Sequence, residues 1–353
     1  MYTVLEETKA IQRSINCVGI SKDRNYIAIC TDKEVNIYTS DELKLNLVVP
    51  IKNCKLVEVY EKYEIILVVG SGEEPKDSPR ILTAWSTAEN QIICEIAFLD
   101  TILAVKANLI RLVVCLAQQI CVYDTSSMKV VAVIQTCMNE SGLIALAAGE
   151  CYNFLLYPAS ETKGDVQIYD CFTSSPRMLI ESHKSPLFFI SISSQGHLFA
   201  TSSHKGTIIR IFSLPSGEKI YSLRRGNLQV EIYNSMFSSD STAFLLASNS
   251  GTIHVFDLSG RSSGNWKVGI KNSLVSATSF LLPNTIHDNL SSCSSVIKVH
   301  TGYQDKFVCT FLKNSLKCLS ISYQGTYNLY DFSSFSSNSS TPFKSGSFFH
   351  IPN

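Results

Sequence analysis

Leu198-Phe199-Ala200, His204-Lys205-Gly206 and Ile209-Arg210-Ile211-Phe212 follow one another as an apolar strand, a turn and an alternating strand that closes on an aromatic. A period of two places alternate side chains on opposite faces, the pattern of a half-buried β-strand. A tight polar turn between two such runs makes them antiparallel neighbours. The closing pattern recurs as Val35-Asn36-Ile37-Tyr38, Leu82-Thr83-Ala84-Trp85, Ile120-Cys121-Val122-Tyr123, Val166-Gln167-Ile168-Tyr169, Ile253-His254-Val255-Phe256 and Tyr327-Asn328-Leu329-Tyr330. Its aromatics stand 47, 38, 46, 43, 44 and 74 residues apart. A repeat of about 40–45 residues is the length of a four-stranded propeller blade. The long last interval marks an insertion at about 259–294. Each closing strand follows another short apolar run, such as Tyr26-Ile27-Ala28-Ile29-Cys30 or Phe244-Leu245-Leu246-Ala247, and helical periodicity is almost absent. These units predict an all-β fold, a seven-bladed β-propeller of WD40-like repeats over residues 1–332. The stretch 333–353 is serine-rich and reads as a flexible tail, with phosphorylation and partner docking both open.

The 353 residues carry 30 lysines and arginines against 30 aspartates and glutamates. A nucleic-acid binder usually shows a basic excess, so any anionic partner must be met by a local patch. The twelve cysteines are scattered through apolar runs without zinc spacing, and read as reduced core residues of a cytosolic protein. The start of the chain lacks the pattern of a signal peptide, and no apolar run approaches the roughly 18 residues that span a bilayer. Gly-x-Ser-x-Gly, P-loop and His-Glu-x-x-His motifs are missing, which argues against an enzyme and against a cofactor or metal.

Leu223-Arg224-Arg225-Gly226 follows the strand-like Lys219-Ile220-Tyr221-Ser222. Adjacent side chains of a strand leave opposite faces, so the two guanidinium groups cannot share one ligand. Guanidinium forks match phosphate oxygens bidentately, which suggests two phosphate sites; two solvated arginines at a strand end is the bland alternative. Blade five also departs from an ordinary WD repeat. The usual turn aspartate is replaced by Lys205, so His183 is expected to lack its structural partner and to be free for a ligand beside a cation.

Several segments together strongly resemble the PROPPIN, or WIPI, family of phosphoinositide-binding propellers. They include the loop Gly70-Ser71-Gly72-Glu73-Glu74-Pro75-Lys76-Asp77-Ser78-Pro79, His183-Lys184-Ser185-Pro186-Leu187, Gly206-Thr207-Ile208-Ile209-Arg210-Ile211-Phe212-Ser213 and the arginine pair with Leu223 as its apolar anchor. The resemblance implies two headgroup sites on the rim at blades five and six. The first would use Arg224 with His183, Thr201, Ser203, Lys205, Thr207 and Arg210. The second would use Arg225 and Gly226 with Ser248, Ser250, Thr252 and His254. Arginines supply charge, hydroxyls donate to phosphate and inositol oxygens, and a histidine gains charge at mildly acidic pH. Gly226 would let the backbone turn or approach closely.

The resemblance further implies phosphatidylinositol 3-phosphate and phosphatidylinositol 3,5-bisphosphate as ligands, on preautophagosomal, endosomal or vacuolar membranes. The insertion would push Phe280, Leu281 and Leu282 into the bilayer interface beside Arg261, Lys267 and Lys271; folding back over blade six is the alternative. The loop with Pro75, Pro79 and Arg80 would meet protein partners. In the family these include the autophagy lipid-transfer protein and, for some members, the coiled-coil protein that recruits the lipidation machinery. A propeller that scaffolds proteins without lipid specificity is the rival reading.

Overall fold

The computed structural model of the chain describes residues 14–60, 64–147, 152–259, 296–334 and 340–349. Within them, seven four-stranded antiparallel sheets succeed one another along the chain, each a simple up-and-down meander of consecutive strands. The seven-bladed propeller read from the repeat is the observed fold. In each repeat, the two runs legible in the sequence are the second and third strands of the blade. In blade five these are Leu198–Ser203 and Ile208–Ser213, and in blade six Ala243–Ser248 and Thr252–Asp257. They sit between two other strands and between two other blades, so their apolar runs are nearly continuous. First strands such as Leu187–Ile192 and Ile232–Phe237 surround the axis, and fourth strands such as Lys219–Arg224 and Val296–His300 form the outer edge.

Alternation decides what lies between blades. In blade five Phe199 stands opposite Phe212, and Thr201 opposite Arg210. Phe199 and Phe212 stack at 5.0 Å and pack on Val166 and Ile168 of blade four, so this face looks back toward blade four. The other face carries Ala200, Ile209, Ile211 and Leu223 against Phe237, Phe244 and Phe256 of blade six. In blade six Phe244 faces Phe256, Leu246 faces His254 and Ser248 faces Thr252. That row therefore looks back toward blade five. The two clefts beside blade five thus have an aromatic floor and a polar upper rim.

The serine-rich stretch corrects one expectation. Lys344–Ser347 is not a free tail: it pairs with Thr326–Asp331 as the fourth strand of blade seven. The isolated phenylalanines explain why it docks. Phe348 is buried between Tyr38 of blade one and Tyr327 of blade seven, with ring centroids 4.9 and 5.0 Å away. Burial of a large aromatic outweighs the weak strand propensity of its serine and glycine neighbours. The ring closes there by side-chain packing, helped by the Ile15 N–H donating to the Tyr323 carbonyl at 2.7 Å. Residues 1–13 lie outside the described residues. All described cysteines are free thiols.

Candidate functional site

Blade five ends in the arginine pair, and the strand alternation separates the two as expected. Arg224 closes the fourth strand opposite Ile208, while Ser222 stands opposite Arg210. Arg224 and Arg210 are therefore diagonal neighbours on the face toward blade four. Arg224 is exposed, and its Nη2 and Nε donate to Asn227 Oδ1 at 2.6 and 3.2 Å. Arg225 is only 6% exposed. Its Nε donates to the Gly206 carbonyl at 3.0 Å and its Nη2 to the Leu228 carbonyl, while its own N–H donates to Thr207. Burial pulls its pKa below the usual guanidinium value. One arginine thus stands free on the rim, and the other is bolted to the backbone of the turn beside it.

The first group gathers in the cleft between blades four and five. His183 Nε2 lies 3.0 Å from Thr201 Oγ1, so His183 is not without a structural partner as the repeat pattern suggested. The cation that acts on it is Arg210 rather than Lys205, which is exposed in the turn. Burial first, then Arg210, lowers the His183 pKa to about 4. Arg210 donates from Nη1 to the Ser182 carbonyl, and its Nε is buried with no hydrogen-bond partner. Ser203 ends the second strand and Lys205 and Thr207 lie in the turn after it, half-buried or exposed, and none makes a direct bond to Arg224.

The second group lies in the cleft between blades five and six. Ser248, Ser250 and Thr252 form a closed triangle of hydroxyls at 2.9, 3.0 and 2.7 Å. His254 is 3% exposed and reaches the backbone of Arg225. Its Nδ1 is buried with no hydrogen-bond partner. Burial, then Lys298, Arg225 and His300, lowers its pKa to about 4. Lys298 and His300 were not foreseen from the sequence: they stand opposite His254 and Thr252 on the fourth strand, exposed on the same face. The alternation Val296-Ile297-Lys298-Val299-His300 was the available signal. The insertion hid which residue of blade six it faced.

Two glycines behave differently. Gly206 has a φ of +60°, and a Cβ there would come within 2.7 Å of the Val230 carbonyl oxygen. A Cβ at Gly226 would meet nothing within 4 Å, so the protein's own packing does not demand glycine there. The space beside Gly226 is open.

The loop from 71 to 80 joins the second and third strands of blade two and folds on itself. Asn53 Nδ2 donates to Asp77 Oδ2 at 2.8 Å, and Pro79 packs over Gly72. Pro75 and Arg80 are left exposed, and Pro79 is half-buried. Phe280, Leu281 and Leu282 lie outside the described residues. A cavity of about 720 Å³ lies elsewhere, at the seam of blades seven and one. Arg224 lies exposed on the rim, with Arg225 buried beside it. Among the described residues no cluster of His, Cys, Asp or Glu could hold a metal ion, and no helix is long and apolar enough to cross a membrane.

Comparison with known proteins agrees with the propeller fold. The family model described as PROPPIN matches residues 14–335. The chain is 35% identical over 266 residues to Autophagy-related protein 18 of Yarrowia lipolytica, covering 69% of this chain and 66% of that protein. It is 30% identical over 333 residues to Autophagy-related protein 18 of Dictyostelium discoideum, covering 89% and 88%. The matched stretch thus spans slightly less than two thirds of the Yarrowia relative. Kluyveromyces lactis Hsv2 has the same fold, with a TM-score of 0.74 at 15% identity over 95% of this chain and 99% of that one. A structure described as a complex of KlAtg21 with the coiled coil of AgAtg16 gives a TM-score of 0.73 at 24% identity, with the same coverage.

Proposed function

The chain belongs to the PROPPIN family, and from that premise we propose that it reads 3-phosphorylated phosphoinositides on membranes through two rim clefts and recruits autophagy proteins there. One observation carries the reading. The clefts on either side of blade five each bury a nitrogen without a partner, Arg210 Nε in one and His254 Nδ1 in the other, beside one member of the arginine pair. Leaving such an atom buried costs about 1–3 kcal/mol, so a ligand that satisfies it recovers free energy the bare protein forgoes. Arg224 and Arg210 converge on the first cleft; Arg225, Lys298 and His300 charge the second. Hydroxyls within reach complement the phosphate and inositol oxygens.

No reaction is required of such a protein. A basic residue near an anionic surface contributes about 1 kcal/mol. Two such sites on one rigid ring act together, so soluble headgroup binds weakly and a bilayer carrying it binds strongly. The ligands are phosphatidylinositol 3-phosphate and the 3,5-bisphosphate, on preautophagosomal, endosomal or vacuolar membranes. The insertion, through Phe280, Leu281 and Leu282, would add an apolar contact.

A partner surface lies away from the clefts. Pro75 and Arg80 project from blade two, and Ile92, Ile93, Val130 and Val133 stay exposed on the fourth strands of blades two and three. Apolar side chains on an outer edge suit a protein partner, and the likeness to KlAtg21 suggests a coiled coil.

Flotation with liposomes containing phosphatidylinositol 3-phosphate tests the reading. Wild type should float with the lipid, and the folded Arg224→Ala/Arg225→Ala double variant should not. Equal flotation of the two, or none by wild type, would leave a protein scaffold without lipid specificity.

A further inference from the structure

Basic side chains outnumber acidic ones in the lining of the propeller axis, with Asp240 acting on Arg24 from outside it. Two cavities follow one another down the ring of first strands, of about 310 and 210 Å³, and share Glu58 and Lys106 in their walls. Lys55 and Lys306 line the first, and Lys22 and Arg24 the second. Among the described residues, five cations therefore line the channel and Glu58 is its one carboxylate, in a chain whose net charge is zero.

That carboxylate is already engaged: Lys106 Nζ lies 2.8 Å from Glu58 Oε2. Arg24 reaches across the ring from blade one, donating to the Ser194 hydroxyl of blade five and to the Ser239 hydroxyl and Phe237 carbonyl of blade six. It closes one end of the channel and keeps its charge there. Lys22 Nζ is buried. Burial alone lowers the Lys55 pKa, with no carboxylate opposing the shift. Lys306 covers the Tyr323 ring at the other mouth. Its neighbour Asp305 instead accepts from the Ser322 hydroxyl and the Gln324 N–H. Like charges converging in a narrow space repel more strongly than in open water, and such a channel draws in counter-charge.

We propose that the axial channel is a binding site for a small, soluble, multiply phosphorylated anion, separate from the rim clefts. Lysines suit it as point charges, and Ser191, Ser193 and Ser235 add hydroxyls. Bound there, the anion would join first strands from several blades and stabilise the ring.

Thermal unfolding with sodium tripolyphosphate, against sodium sulfate at matched ionic strength, tests this. Wild type should gain about 4 °C at roughly 100-fold excess over Kd. The Arg224→Ala/Arg225→Ala variant should keep the gain, and Lys55→Gln/Lys306→Gln should lose most of it while still floating with phosphatidylinositol 3-phosphate vesicles. As a check that needs no variant, tripolyphosphate should not displace wild type from those vesicles under conditions that give the full gain. An equal gain from sulfate, loss of the gain in the arginine variant, or displacement from vesicles would each overturn the proposal.

Discussion

Arg210 and His254 occupy the same position in successive blades. Each is the third residue of a third strand, each faces the blade before it, and each buries a side-chain nitrogen with no hydrogen-bond partner. Their surroundings repeat as well. Arg224 stands opposite the first residue of the third strand in blade five, and His300 does so in blade six. Two clefts of one design, with different residues, flank a single blade.

The arginines should separate when replaced singly. Arg224 bonds only to Asn227 on the surface, so Arg224→Ala should abolish much of the lipid binding with the unfolding temperature unchanged. Arg225 satisfies the Gly206 and Leu228 carbonyls, so Arg225→Ala should also cost about 1–3 kcal/mol of stability. Denaturant unfolding beside flotation checks the split. Equal stability of the two variants would contradict it.

Both site histidines should make stability depend on pH. Their folded pKa values are near 4, while an unfolded histidine titrates near 6.5. A depressed histidine favours the neutral folded protein, so this contribution is complete above about pH 6.5 and is lost as pH falls toward 4. For the nearly inaccessible His254 the loss is on the order of 3 kcal/mol. The unfolding temperature should drop across that window, and less steeply in His183→Gln/His254→Gln. A bound phosphate acts oppositely by raising both pKa values, so headgroup binding should take up protons and strengthen from pH 7.5 to 6 more in wild type than in the variant.

The two glycines by the arginines should respond oppositely to alanine. Gly206→Ala forces a Cβ onto a left-handed residue against the Val230 carbonyl and should destabilise by about 1–3 kcal/mol. Gly226→Ala meets no protein atom and should leave stability intact while reducing lipid binding, because it fills the space a headgroup would enter. Unfolding curves and flotation on both variants check this. Unimpaired binding by Gly226→Ala would show that the ligand does not approach there.

Closure of the ring should depend on the serine-rich stretch. Phe348→Ala removes a buried ring from the seam of blades seven and one, at a cost of about 3 kcal/mol or more. Lipid binding at temperatures where the variant stays folded should be unchanged, since the clefts flank blade five, away from the seam of blades seven and one.

Much of this was legible in the sequence because central strands are buried on both faces, so their apolar runs and closing aromatics repeat. Arg224 and Arg225 could be assigned to opposite faces by alternation alone. The partner of His183 could not. Lys205 marked the missing aspartate, but Thr201 takes the histidine and Arg210 supplies the charge, contacts made across an interblade cleft. Lys298 and His300 escaped because the insertion separates them from the strand they face. Lys344–Ser347 escaped because serine and glycine carry almost no strand signal, and only Phe348 anchors them.

The most direct test counts the sites. Calorimetric titration with short-chain soluble phosphatidylinositol 3-phosphate should give two weak sites per chain in wild type. One should remain in Arg210→Met and one in His254→Leu, each measured at a temperature where the variant stays folded. A single site in wild type, or two in either variant, would contradict the two-cleft account.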